Sequence, residues 1–308
     1  MTRRRAALLA PCLALALTAC GGDSGSDGAG AAGGRVEVAA AFYPLQYLAE
    51  RVGGEGVAVT GLTSPGVEPH DLELTPQQVA GLSEDDLVLY LAGFQPAVDD
   101  AVDQQASEAA LDLGAVTPLE PGFVPLEEGE LAEDEEGEDP HVWLDPLRYA
   151  DLADAVAARL GELDADRAQE FAQAAGALRG ELEALDAEYR AALADCDRRQ
   201  LVTSHNAFGY LARAYDLEQV AITGLTPDAE ASSGRLAEVA DYARANGVTT
   251  VFFEELVSPD VARSLADEVG ATAVELSPLE GAPEEGDYFT AMRANLTVLT
   301  AALGCSTA

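Results

Sequence analysis

The sequence predicts an α/β protein of two parallel-sheet lobes with helices on both faces, joined by one long rigid connector helix, with a metal site in the interlobe cleft. Three observations predict it. Short apolar runs alternate with helical patterns twice over, which is how parallel strands and their crossover helices read in sequence. One long amphipathic stripe separates the two series. The roughly 270 residues that follow position 34 also exceed what one such core usually holds.

Taken in order, the chain opens on an export signal. Arg3, Arg4 and Arg5 precede an apolar stretch at 6–17, too short to span a bilayer as a helix. Leu17-Thr18-Ala19-Cys20 closes it and resembles a bacterial lipobox, in which the cysteine becomes the lipidated first residue; an ordinary cleavable signal is the alternative. Residues 1–19 are assigned to a lipoprotein signal peptide, and the Gly/Ser/Asp/Ala run at 20–34 to a flexible tether. More than one acyl chain on Cys20 would hold the protein stably on the outer face of the cell membrane.

An N-terminal lobe is expected over 35–162, with strands at 36–42, 57–62 and 87–92 and helices near 45–52, 76–82 and 96–105. The connector is expected over 163–195. Its apolar residues Phe171, Ala175, Leu178, Leu182, Leu185, Tyr189 and Leu193 fall three or four apart, on one stripe of a helix about 40 Å long. A C-terminal lobe over 196–308 repeats the scheme, with strands at 201–203, 220–223, 249–253 and 271–276 and helices near 208–215, 235–246, 259–269 and 288–303. One stretch differs in kind. At 127–139 nine of thirteen residues are Asp or Glu, too dense a like charge to pack, so a disordered loop is expected there. It reads as a solubilising loop or as an antenna that gathers cations beside the metal site.

Composition narrows the partners. Loss of 1–19 removes three arginines and no acid, taking the formal net charge from −38 to −41. Nucleic acid is excluded, since phosphates need a basic surface. Of the four cysteines, Cys12 leaves with the signal and Cys20 takes lipid. Cys196 and Cys305, two thiols in an exported domain, most simply form one disulfide; two separate buried thiols are the alternative.

The chemistry lies in three histidines, each in a short polar island: Pro69-His70-Asp71, Pro140-His141-Val142-Trp143-Leu144-Asp145-Pro146, and Ser204-His205-Asn206-Ala207-Phe208-Gly209-Tyr210. Neutral imidazoles from three separate segments suit zinc and its neighbours. His70 precedes Thr75-Pro76-Gln77-Gln78, a capping box with proline at the first helical position. His141 precedes the cap-plus-proline pair Asp145-Pro146, and His205 follows a strand. All three therefore sit on turns into helices, where open α/β sheets bind ligands. Two come from the first lobe and one from the second, so a cation between them would staple the lobes together.

These segments resemble the zinc/manganese-type solute-binding lipoproteins of bacterial ABC transporters, zinc-uptake branch. Phe252-Phe253-Glu254 and Tyr288-x-x-x-Met292-x-x-Asn295 fit the C-lobe pattern of that family, and the likeness spans about 36–305. The resemblance implies that the protein is a monomer and not an enzyme. It would capture one divalent ion, Zn2+ before Mn2+, as transported ligand, and deliver it to an ABC-type permease. His205 bears on the metal, because manganese-type members commonly carry a carboxylate there and imidazole is the softer donor.

Two departures matter. Many zinc-type members have a histidine-rich loop where this chain has its acidic run, which puts zinc storage there in doubt. The family also often places an aspartate as fourth ligand near the end of the last C-lobe strand, where Ser277 stands here; the fourth position is left to water, Glu280 or another carboxylate. The competing functions are a manganese-selective binder of the same family, a three-histidine zinc enzyme with an open water position, and an adhesin.

Overall fold

The computed structural model describes residues 34–122, 137–227 and 231–306. The signal segment, Cys20, the tether as far as residue 33 and most of the acidic run lie outside the described residues. Two four-stranded sheets carry the fold, and every strand pair in them is parallel. The first contains β1 (Val36–Ala40), β2 (Val57–Gly61), β3 (Leu87–Tyr90) and β4 (Ala110–Asp112) in the order β2-β1-β3-β4. The second contains β5 (Gln200–Thr203), β6 (Glu218–Ala221), β7 (Thr250–Phe253) and β8 (Thr272–Glu275) in the matching order β6-β5-β7-β8. In each sheet the chain passes to one side of its first strand and then to the other. That places a topological switch point between β1 and β3, and another between β5 and β7, where ligands bind outside the strands' carboxyl ends.

The central strands β1, β3, β5 and β7 are mostly buried, and each stops where its apolar run stops. Val38, Leu87, Val88, Leu89, Leu201, Val202 and Val251 have almost no exposed surface. Helices α1 (Tyr43–Gly53), α2 (Pro76–Gly81), α3 (Pro96–Gln105) and α4 (Pro146–Leu163) belong with the first sheet, and α6 (Gly209–Ala214), α7 (Ser233–Ala245), α8 (Asp260–Val269) and α9 (Tyr288–Leu303) follow the long helix α5 (Ala168–Ala192). The predicted capping box is present: Thr75 accepts from the N–H of Gln78, and the Gln78 side chain reaches back. Asp145 caps α4 with Pro146 at its first position.

Helix α5 has 25 residues, about 37 Å, and buries the predicted stripe of Phe171, Ala175, Leu178, Leu182, Leu185 and Tyr189. It does not stand alone. Helix α4 packs along it, so the stiff element between the sheets is a pair of helices. One apolar core draws on both sheets, α4, α5 and α9, while a second lies beneath α7 and α8. The described residues from 35 onward accordingly form one compact body. Cys196 and Cys305 are disulfide-bonded across 109 residues, tying the end of α5 to the end of α9.

Strand β4 is the element the pattern did not announce. It has three residues, none fully buried, and is ordered through pairing with β3. The acidic run is corrected at its end. Glu138 pairs with Pro121 in an antiparallel bridge, and the Asp139 side chain is wholly buried, because it has a partner in the core. No helix among the described residues is long and apolar enough to cross a membrane.

Candidate metal centre

The loop between β2 and α2 carries His70. Thr63 at its start donates to the carbonyl of Ala41 at 2.7 Å, and the buried Gln95 amide donates to Thr63 and to the carbonyl of Pro69 at 3.1 and 3.0 Å. Glu68 accepts the N–H of His70 at 3.1 Å, and the Phe94 ring meets the imidazole edge-on at 4.5 Å. His141 opens the short 3-10 turn Val142–Leu144 after β4. His205 lies two residues beyond β5, with its carbonyl held by the Thr203 hydroxyl at 2.7 Å. Glu254 follows β7 directly, so His205 and Glu254 flank the switch point of the second sheet.

The fourth group comes from the loop after β8. Asn295 of α9 pins Ser277 through both backbone groups, and the indole N–H of buried Trp143 donates to the carbonyl of Pro278 at 2.7 Å. Leu279 then takes φ +55°, a conformation unusual for a branched apolar residue and a mark of a functional constraint. The turn brings the Glu280 carboxylate, 1% exposed, in among the histidines. Ser277 itself faces away, its hydroxyl donating to Glu255 at 2.6 Å.

One donor atom from each of His70, His141, His205 and Glu280 lies within 4.8 Å of the others. Glu280 Oε1 is 3.5, 3.2 and 3.5 Å from the Nε2 atoms of His70, His141 and His205, and the last two Nε2 atoms are 3.4 Å apart. Metal–ligand bonds of 2.0–2.2 Å in a tetrahedron put neighbouring donors about 3.3–3.6 Å apart. Four of the six donor pairs thus have the spacing of a zinc-sized tetrahedral ion, and all six lie within 4.8 Å. The carboxylate Oε2 of Glu280 and the Nε2 of His70 are buried without a hydrogen-bond partner, as groups awaiting a ligand are.

The outer nitrogens of two histidines are already engaged. Asp139 lies 2.8 Å from Nδ1 of His141, and Glu254 lies 2.5 Å from Nδ1 of His205 while also accepting from the Ser204 hydroxyl. Such carboxylates fix the ring and direct Nε2 at the ion. Burial pushes the His205 imidazole down, but Glu254 and Glu280 outweigh it and lift it to about 10. For His141 burial again acts downward, and Asp139 with Glu280 leaves it raised. His70 stays lowered, because burial there exceeds the pull of Glu280. Burial would raise Glu280, yet the three histidines packed around its carboxylate hold it well below the usual carboxylate range. Burial and the nearby Glu280 push Glu68 up to about 8.

The three predicted histidines are therefore brought together, and of the alternatives left for the fourth position the geometry offers Glu280. Asp139 and Glu254 went unassigned by sequence reasoning. Their signal was slight: Asp139 sits two residues before a histidine, and Glu254 ends an apolar strand.

The family described as zinc-uptake complex component A, periplasmic, matches residues 38–302. The chain belongs to that family. It is similar to the zinc-binding lipoprotein AdcA of Streptococcus pneumoniae serotype 4, 34% identical over 305 residues, with 95% of this chain and 59% of that protein covered. The high-affinity zinc uptake system protein ZnuA of Bacillus subtilis is 32% identical over 95% of both chains. This chain thus spans little more than half the length of the AdcA relatives, and nearly all of the ZnuA relative. Among solved structures, the laminin-binding protein Lmb of Streptococcus agalactiae, described as bifunctional with adhesin and metal-transporting activity, superposes with a TM-score of 0.78 at 29% identity, covering 87% of this chain and 99% of that one. The Zn(II)-bound ZnuA-like domain of pneumococcal AdcA gives 0.72 at 31% identity over 88% and 99%.

Proposed function

We propose that the protein captures a single zinc ion outside the cell membrane through His70, His141, His205 and Glu280 and hands it to an ABC-type permease. The observation that carries the reading is the donor set itself: three imidazole nitrogens and one carboxylate oxygen, buried and all within 4.8 Å of one another. Nitrogen-rich tetrahedral sites favour zinc, whereas manganese prefers octahedral oxygen. Four protein donors also leave no open position for the activated water a zinc hydrolase needs. The zinc-binding and zinc-uptake names of the relatives agree with this reading.

The same reading takes the protein as a monomer anchored by lipid on Cys20, with an N-terminal lobe at 35–162, a connector at 163–195 and a C-terminal lobe at 196–308. Two separate sheets with α5 between them support that division. Titration of metal-free protein should give one tight zinc per chain and much weaker manganese. Manganese binding as tight as zinc, or no stoichiometric zinc, would remove the proposal. Labelling with a fatty-acid analogue should mark the wild type and spare Cys20→Ser.

A further inference from the structure

The histidine segment 204–210 ends on two residues that do not ligate, Gly209 and Tyr210, at the start of α6. Both face the neck from which the acidic run emerges. In that neck the N–H of Gly122 donates to the carbonyl of Gly137 at 3.0 Å and the N–H of Asp139 to the carbonyl of Glu120 at 2.8 Å. The Tyr210 hydroxyl sits across it, accepting from the N–H of Glu120 at 2.9 Å and donating to the carbonyl of Asp139 at 3.0 Å. Arg148 and Arg213 stack on the Tyr210 ring at 5.0 and 4.8 Å, and both pair with the Glu120 carboxylate.

The second oxygen of Asp139 decides what this cluster does. Its first oxygen holds His141; the second is buried, lacks a hydrogen bond, and has Arg213 at 3.5 Å as its charge partner. The two elements approach this closely because position 209 is glycine: a Cβ there would lie 2.5 Å from that oxygen and 3.2 Å from the Arg213 guanidinium. The Arg213 side chain is 39% exposed, so its ion pairs add little to stability. Its effect falls on Asp139, a buried carboxylate that orients a proposed ligand.

We infer that Gly209, Tyr210 and Arg213 are positioning residues for the metal, clamping Asp139 so that His141 keeps the orientation coordination needs. The inference rests on the zinc-binding reading above. Gly209→Ala removes no charge and favours helix, yet its methyl group displaces Asp139. Arg213→Gln removes the charge partner and leaves the space.

Zinc titrations with a competing chelator, and the visible absorption of the cobalt(II) forms, test it on wild type, Gly209→Ala, Arg213→Gln and Arg293→Gln. Arg293 pairs with Glu188 away from the site and serves as control. Gly209→Ala and Arg213→Gln should each weaken zinc by about tenfold or more, the usual effect of an outer-sphere change, and shift the cobalt bands; Arg293→Gln should do neither. Zinc affinity within twofold of wild type and unshifted bands in both variants would overturn the inference, as would an equal loss in Arg293→Gln. If Gly209→Ala does not fold, Arg213→Gln alone decides. Wild type that takes no zinc would instead defeat the functional reading on which this one stands.

Discussion

The arms carrying His141 and His205 are built differently from the arm carrying His70. The first two rings are fully buried, and each has a buried carboxylate on its outer nitrogen, at 2.8 and 2.5 Å. The His70 side chain keeps 6% of its surface, and among the described residues no carboxylate is hydrogen-bonded to its outer nitrogen. Its loop is steadied by one amide, Gln95, and by the edge of Phe94. The contrast teaches that two of the proposed ligands are held in place by their own carboxylates, while the third sits on the part of the site that can yield. The release step of the proposed function needs such a part.

The largest test of this contrast is removal of the ligands one by one. Each of His70→Ala, His141→Ala and His205→Ala should weaken zinc by more than the roughly 100-fold reached by outer-sphere changes. His141→Ala and His205→Ala also strand Asp139 or Glu254 in the interior, which costs about 3–5 kcal/mol of stability. Thermal denaturation of metal-free protein should therefore separate them from His70→Ala, which stays near wild type. Equal destabilisation by all three would erase the difference between the arms.

Acidity separates the metal-free and zinc-bound states. His141, His205 and Glu68 are raised in the fold, so their contributions are full below the unfolded values, about 6.5 for imidazole and 4.3 for Glu, and fade as pH rises toward about 8 for Glu68 and 10 for His205. Glu280 is depressed and acts in the opposite sense, contributing above about 4.3 and losing that contribution on acidification. Lowered His70 contributes above about 6.5 and offsets part of the decline. Metal-free protein should accordingly melt highest between about pH 4.3 and 6.5. Zinc must displace the imidazole protons, so the melting temperature of the zinc form should rise from pH 6 to 8. Parallel falls of both forms over that interval would contradict the protonation scheme.

Smaller effects sharpen the same comparison. Glu254→Gln, on the held arm, should weaken zinc by about 10- to 100-fold. Gln95→Ala, on the yielding arm, should weaken it by roughly fivefold, the scale of one neutral hydrogen bond, mostly through faster release in stopped-flow chelator chase. The smallest effect on affinity belongs to Cys196→Ser with Cys305→Ser, which joins elements away from the metal. That variant should lose up to about 4–5 kcal/mol of stability, the chain-entropy limit for a loop of this size, with zinc affinity unchanged by calorimetry.

Much of this protein was legible in the chain. Apolar runs bounded by turns marked seven of the eight strands, because strands of a parallel sheet covered by helices are rich in apolar residues. Thr75 and Asp145 announced their helices through local hydrogen bonds that need no tertiary context. With only three histidines and two cysteines beyond Cys20, the rarity of those side chains singled them out. Carboxylates had no such rarity. Among 55 Asp and Glu, Glu280 was one of several options for the fourth position, Glu254 stood only within a family pattern, and Asp139 was counted with the acidic run.

Only the tertiary structure set these three apart, and it did so through burial and direction. Glu280 rather than Ser277 reaches the histidines because Asn295 and Trp143 hold the loop on either side and Leu279 accepts a left-handed turn. Asp139 leaves the acidic run for the core because glycine at 209 gives it room and His141 gives it a partner. Strand β4, too short and too polar to be seen by pattern, exists because β3 offers it an edge. Side-chain chemistry is written residue by residue, but the low-dielectric enclosure that turns a surface carboxylate into a ligand or an orienting group belongs to the packed fold.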